Sequence, residues 1–440
     1  MIKLILGTPI FLAIIAFIAV IFIHELGHYL MGRLCGIGAS TFSIGFGPKL
    51  ISYTDRRNTE WTLCLIPLGG FVKFWTKSDD PSPNNKINYR NETSSTGSFS
   101  QKSFEASTLL ARTLTVLAGP FANFLMSVVI FTGVALSNGI ISPDPIVGKV
   151  AALPGDRKSI LAGDKILSIQ GQSIDRFEQI YEITSEMDRS SSINFRVLRD
   201  GKTLDLIVPY LFQPVVFSVE MFSPAMKAGI ETGDVFLEAN SRLVSSFEDI
   251  KAIINSSKGN PVLVTVWRNG QIFKKIISPE MRPTETPTGN IVEKMRIGVR
   301  GGSLLSPAMV TPSIYEAGLM GINMTIYVVR TSLVGLARMI DRTISSKHLS
   351  GPVGVAKALS YSASEGSIPF LSLLAAISAG IGLINLFPIP ILDGGHLMMF
   401  LYESIFKAPP PNYVVKFLMS VGFFVLFALM VFATFNDIVR

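Results

Sequence analysis

Residues 4–28 read Leu-Ile-Leu-Gly-Thr-Pro-Ile-Phe-Leu-Ala-Ile-Ile-Ala-Phe-Ile-Ala-Val-Ile-Phe-Ile-His-Glu-Leu-Gly-His. From Leu4 to Ile23 there is no charge, and the stretch runs straight into His24-Glu25-Leu26-Gly27-His28. A bilayer core of about 30 Å takes roughly 20 apolar residues as a helix, so the first part reads as a membrane span. Two imidazoles and a carboxylate at the end of such a span are costly without a purpose. No clear small-residue cleavage site follows Ile23, so the segment reads as a retained anchor and not as a signal peptide.

Three further uncharged stretches follow, Thr113 to Ile141, Gly366 to Leu392 and Phe417 to Asn436. The chain of 440 residues is 48% hydrophobic and only 16% charged, with mean hydropathy +0.44. Soluble domains carry about a quarter charged residues. An ordinary soluble enzyme and a disordered chain are therefore excluded, and two cysteines exclude a disulfide scaffold. The net charge of +7 suits loops at a membrane surface, so the bilayer is an expected partner and nucleic acid is not.

Nine Lys and Arg residues lie from Arg33 to Lys102. The positive-inside rule makes that connection cytoplasmic and puts both termini and the long Ser142 to Glu365 region outside. Cys35 and Cys64 then face the reducing side, where a disulfide is not expected. Asp79 to Ser100, rich in Ser, Asn, Thr and Pro, reads as an exposed loop. Ser313 to Arg342 mixes apolar residues with Glu316, Arg330, Arg338 and Asp341, which predicts one or two helices at the outer membrane surface.

The outer region contains an internal repeat. Pro154 and Gly163-Asp164-Lys165-Ile166-Leu167 recur as Pro224 and Gly233-Asp234-Val235-Phe236-Leu237, and Phe177-Glu178 as Phe247-Glu248, all at an offset of 70. Arg199-Asp200-Gly201 recurs as Arg268-Asn269-Gly270 at an offset of 69. Each copy predicts a β-rich domain with a helix near the Phe-Glu pair and a hairpin at the Asp-Gly or Asn-Gly dipeptide.

His-Glu-x-x-His arises by chance on the order of 0.001 times in such a chain. Its spacing puts both imidazoles on one helical face, where they can hold zinc together, with Glu25 close enough to act on water at the metal. A helix end meeting the interface would also tolerate histidine. Zinc on two histidines needs a third protein ligand. Asp393 is the leading candidate, after Asn385-Leu386-Phe387-Pro388-Ile389-Pro390-Ile391-Leu392, where two prolines should break the third span. Broken backbone at membrane depth requires a protein-lined cavity. His396 is a rival ligand. Phe42, Ile44 and Phe46 alternate, as do Trp61, Leu63 and Leu65, which predicts strands.

His24-Glu25-x-x-His28 and Leu392-Asp393-Gly394 resemble the motifs of the site-2 protease family of zinc intramembrane proteases. Pro67-Leu68-Gly69-Gly70-Phe71-Val72-Lys73, Gly119-Pro120-Phe121-Ala122-Asn123 and the order of spans and repeats are similar to Gram-negative bacterial members of that family, across essentially the whole chain. Ser223 to Asp234 resembles the PDZ domains of bacterial envelope proteases, while Lys158-Ser159 in the first copy departs from Ala228-Gly229 in the second.

The resemblance implies one Zn2+ per chain on His24, His28 and Asp393, with Glu25 as general base and acid. It implies a membrane-entering β-hairpin whose Gly69, Gly70, Phe71 and Val72 edge pairs with substrate, and substrate handling by Asn385, Pro388 and Pro390. Asn123 reads here as a helix-packing residue. The implied activity is intramembrane endopeptidase cleavage of single-span proteins. Substrates would be of anti-sigma-factor type already cut outside, or signal-peptide remnants, and the PDZ-like copies would meet extracytoplasmic peptides or proteins.

The expected fold is a polytopic α-helical membrane protein with four transmembrane helices, a membrane-entering β-hairpin and two inserted PDZ-like α+β domains. Its divisions are 1–141 (hairpin about 40–75, cytoplasmic loop about 76–105), 142–211, 212–285, a connecting segment 286–365 with surface helices, and 366–440. The expected location is a bacterial inner membrane, with termini and repeats periplasmic and the active site near the cytoplasmic side. Two rivals stand beside it, a catalytically silent PDZ scaffold and a metal transporter using His24, His28 and Asp393. The glutamate between the histidines favours the protease.

Overall fold

The computed structural model describes residues 9–76, 102–155, 159–188, 192–285, 291–345 and 349–439. The loop expected over 79–100 lies outside them. The described residues form two compact units, one from 9–76, 102–136, 313–335 and 349–439, the other from 137–155, 159–188, 192–285, 291–312 and 336–345.

Helix α1 (Pro9–Leu34) joins the apolar stretch and the histidines in one rod. Gly36, at φ +77°, ends it, and the Ile37 N–H reaches back to the Gly32 carbonyl at 2.8 Å. Strands β1 (Ala39–Thr54) and β2 (Glu60–Phe74) then double over. Residues 41–44 of β1 pair with both 60–63 and 70–73, while 49–54 pair with 60–64. The result is four lanes with Gly70–Phe74 as one outer lane. Stacked Phe42 and Trp61 pack beside Tyr29 of α1. Asp55 in the turn accepts hydrogen bonds from the Arg57 and Thr59 amides, Trp61 Nε1 and the Tyr29 hydroxyl, so the hairpin is tied to α1. Helix α2 (Leu109–Asn138) packs on α1 where Gly27 faces the Ala118 carbonyl and Ala122, an approach with no room for a Cβ.

The chain next builds the second unit, and the repeat is visible in its strand order. In the first copy β3 (Ile140–Ile141) and β4 (Val147–Val150) precede β5 (Lys165–Ile169) and β6 (Gln172–Ser173). Helix α3 (Phe177–Ser185), β7 (Ile193–Arg199) and β8 (Lys202–Val208) follow, and the sheet runs β6-β5-β7-β8. In the second copy β9 (Val216–Val219), β10 (Val235–Ala239) and β11 (Arg242–Leu243) lead to helix α4 (Phe247–Ser256), β12 (Val262–Arg268) and β13 (Gln271–Ile277). Its sheet runs β11-β10-β12-β13, the same order. The repeated Asp has the same task in both copies: Arg199 grips Asp164 with Nε and Nη2 at 2.7 Å each, and Arg268 grips Asp234 at 2.6 and 2.8 Å. Of the first copy's divergent Lys158-Ser159, Lys158 lies outside the described residues, while the Ser159 carbonyl accepts from Arg199 Nη2 at 2.9 Å.

The boundaries read from the repeat end the copies at 211 and 285, but the following segment pairs back onto both. After the hairpin β14 (Glu280–Glu285) and β15 (Ile291–Arg296), β16 (Val299–Gly301) pairs with β9 of the second copy. Then β17 (Leu305–Pro307) pairs with β4, and β18 (Met309–Val310) with β3, on the first copy's side. Strands of two or three residues carry too little alternation to read in sequence.

The chain returns as α5 (Ile314–Ile340), one continuous helix where the charge pattern predicts one or two surface helices. Glu316 sits in its first turn and Arg338 in its last. With Arg330 the one charge between them, the helix is still apolar enough that, among the described residues, five helices and not four have the length and composition to cross a membrane. On α5, Gly321 packs against Val128 and Thr132 of α2, and Thr325 Oγ1 lies 3.1 Å from Ser127 Oγ. Helix α6 (Pro352–Glu365) follows, with Leu359 buried against Ala13, Ala16 and Val20 of α1. The expected break in the third span is present: α7 (Ser367–Asn385) stops, residues 386–392 turn, and α8 (Asp393–Phe406) starts at the aspartate itself. Helix α9 (Asn412–Val439) completes the unit, and its buried Asp437 accepts the Gly351 and Gly354 amides at the start of α6.

Candidate active site

The i, i+4 spacing on α1 turns both histidines to one side, and the broken third span brings Asp393 to meet them. His24 Nε2 is 3.2 Å from His28 Nε2, and Asp393 Oδ2 is 3.2 Å and 3.4 Å from them. The turn before Asp393 is tight because Gly394 and Gly395 lie against the carbonyls of Leu386, Phe387 and Ile389, where a Cβ would collide. On α2, Gly119 makes room for the His28 ring, since a Cβ there would collide with Nε2.

The outer nitrogens decide what the inner ones can do. His28 Nδ1 donates to the Thr115 carbonyl at 2.9 Å, which leaves a lone pair on Nε2. His24 Nδ1 is 3.3 Å from the Asn123 amide, and Asn123 is fully buried with its Oδ1 otherwise unpartnered. The two ends of an amide are assigned by their partners. Turned end for end, Oδ1 accepts from His24 Nδ1–H, and the lone pair on Nε2 points inward as on His28. Asp393 Oδ2 is also buried without a hydrogen-bond donor. The triangle is then made of acceptors only, which a cation satisfies. Tetrahedral zinc with bonds of about 2.0–2.1 Å holds its ligand atoms about 3.3 Å apart, so the three residues fit that ion.

A cavity of about 690 Å³ opens beside the triangle, lined by Glu25, Gly69, Gly70, Phe71, Val72, Asn385, Leu392 and His396 among others. Gly70 rides on Glu25: a Cβ there would lie 2.8 Å from Glu25 Cγ and 3.1 Å from Ile21. The outer β2 lane thus passes over the carboxylate. Asn385 Nδ2 is 3.3 Å from His24 Nε2. His396 lines the cavity but is not one of the converging groups. Pro388 and Pro390 shape the turn without lining the cavity, whose wall there is Ile391 and Leu392.

Sequence reasoning treats Asn123 as helix packing, and the structure places it directly on His24. The signal was an amide inside an apolar span. The Thr115 contribution is a backbone carbonyl and leaves no mark in sequence.

Residues 12–429 match peptidase family M50. The chain is 31% identical over 95% of its length, and 92% of the relative's, to "Putative zinc metalloprotease Atu1380" of Agrobacterium fabrum. It is 29% identical to the regulator of sigma E protease of Haemophilus influenzae, covering 97% of this chain and 98% of that one. Over 21% of the chain it is also matched by the PDZ domain of an SdrC-like protein from Listeria monocytogenes, at 20% identity, TM-score 0.17 and 90% of that domain covered. The chain belongs to peptidase family M50, the site-2 protease family of membrane-embedded zinc metalloproteases.

Proposed function

We propose that this metalloprotease cuts single-span membrane proteins within or near the bilayer, with one zinc on His24, His28 and Asp393 and with Glu25 as general base and acid. The observation that carries the reading is the all-acceptor triangle at tetrahedral spacing, beside a carboxylate crossed by an outer β lane. Bound there, zinc supplies Lewis acidity, which acidifies water and polarises a carbonyl. Glu25 takes a proton from the attacking water as the new C–O bond forms, then returns it to the amine nitrogen as the C–N bond breaks. A helical substrate has its amides internally bonded and must be unwound before attack. Gly69, Gly70, Phe71 and Val72 offer backbone groups to the opened strand, as strand addition requires. Asn385 donates to the substrate from the opposite wall, and Pro388 and Pro390 hold the turn that backs that wall.

The substrate class is the anti-sigma-factor type after a first outer cut, with signal-peptide remnants as a second class. The two copies of the repeat act as PDZ domains that meet extracytoplasmic peptides or proteins. In the second copy a groove of about 570 Å³ between α4 and residues 294–299 suits such a peptide. The location is a bacterial inner membrane, with α5 at the outer surface, so that four spans keep the termini and repeats periplasmic, and with the zinc site near the cytoplasmic face.

The test is cleavage of a tagged single-span substrate in vesicles by wild type and Glu25→Gln, with zinc measured on both. The expected result is a fall of about 10²–10⁴-fold on loss of the base, with zinc retained. Cleavage by Glu25→Gln at the wild-type rate overturns the assignment. A wild type that neither cleaves nor holds zinc returns the scaffold reading.

A further inference from the structure

Helix α8 begins with Asp393, yet much of its surface is bare. Met398, Leu401, Tyr402, Ile405 and Phe406 are exposed. Its first turn is seated on the 386–390 backbone through Gly394 and Gly395. Three turns further on, a second attachment engages α2. Arg112 donates from Nη2 to Glu403 Oε1 at 2.7 Å and from Nη1 to Oε2 at 3.0 Å, across 291 residues of sequence. The Arg112 guanidinium lies 5.3 Å from the Phe400 ring centroid, and Phe400 is buried. The pair is mostly shielded from solvent, with 15% and 22% of the two side chains exposed.

Arg112 stands one turn before Thr115 on the same helix. Helix α2 therefore carries a tether for every converging group: the Thr115 carbonyl for His28, Asn123 for His24, and Arg112, acting through Glu403 and α8, for Asp393. From Asp393 to Glu403 a helix spans about 15 Å. A rigid rod of that length passes a displacement at its far end to the carboxylate. A two-point guanidinium–carboxylate contact fixes direction as well as distance, which a single ammonium contact does not.

We propose that Arg112 and Glu403 are a positioning pair that sets where Asp393 stands relative to His24 and His28. The inference rests on the reading that these three residues hold zinc. It makes α2 the common frame of the site, although α2 supplies no ligand.

The test uses the full chain in detergent as wild type, Arg112→Lys, Glu403→Gln and the exchanged pair Arg112→Glu with Glu403→Arg. Zinc retention is measured against graded chelator, and amide hydrogen exchange at Gly395 to Met398 is measured in metal-stripped protein. Each single variant is expected to bind zinc about 10- to 100-fold more weakly, the range for lost outer supports of a metal site, and to exchange faster at those amides. The exchanged pair recovers most of both. Folded single variants with unchanged zinc retention and unchanged exchange overturn the proposal, as does an exchanged pair that folds and recovers neither. If a single variant does not fold, the exchanged pair decides alone. A wild type without zinc defeats the metal reading separately, and the exchange measurement still decides the positioning claim.

Discussion

Asp164 and Asp234 in the repeats and Asp393 in the membrane unit are acids on well-packed elements, but their surroundings differ in kind. Asp164 is met by two nitrogens of Arg199 and by the Leu161 amide, and Asp234 by Arg268 and the Glu231 amide. Asp393 Oδ2 faces two imidazole nitrogens with lone pairs and receives no hydrogen. Buried polar groups are satisfied almost everywhere in native structures. A satisfied acid reports on folding, whereas an orphaned one marks a place completed by something else.

The sharpest way to break this contrast is to neutralise one acid of each kind. Asp393→Asn is expected to lose zinc and cleavage together while the melting of the metal-free protein changes little. Asp164→Asn is expected to cost about 1.5–3 kcal/mol, the range for a hydrogen bond to a charged group, while each folded molecule keeps its zinc. Zinc content and chemical unfolding of both variants decide it, and parallel losses in the two would erase the distinction.

A smaller effect sharpens the role of Asn123. Asn123→Ala removes the group that fixes the His24 tautomer and should weaken zinc binding about 10- to 100-fold, read by chelator competition. Unchanged affinity would return Asn123 to helix packing.

The smallest expected effect is on pH dependence. Burial pushes the Asp164 carboxyl up, but the Arg199 guanidinium and the Leu161 amide outweigh it and hold it below the usual 3.8. A depressed carboxyl stabilises the fold above its unfolded value, and that stability is lost as pH falls below about 3.8 through the folded value. Hydrogen exchange in β5 to β8 should rise across that acid range, and Asp164→Asn should flatten the rise. An identical profile in the variant would remove Asp164 as the cause.

What was legible in the sequence depended on contrast over short range. His24, Glu25 and His28 stand out because an apolar run makes each polar residue expensive, and Asp393 stands out because two prolines precede it. The repeat was legible because Gly-Asp, Phe-Glu and Arg-x-Gly recur at nearly constant offsets. Tertiary pairings were not. Arg112 and Glu403 are each unremarkable locally, the Thr115 tether is backbone, and the apolar character of α5 was masked by Glu316 and Arg338 in its end turns and Arg330 within it. The edge strands between 299 and 310 were hidden by their shortness.

Those edge strands govern how the repeats can be separated. The stretch 299–301 seals the second copy and 305–310 lines the first copy's side, so neither copy is a contiguous segment of chain. A cut at 285 would strip partners from both and bare raw sheet edges, the surfaces through which β proteins aggregate. Only 137–312 taken together leaves those pairings intact. The lead-in to α5 is thus the thread that stitches both copies shut.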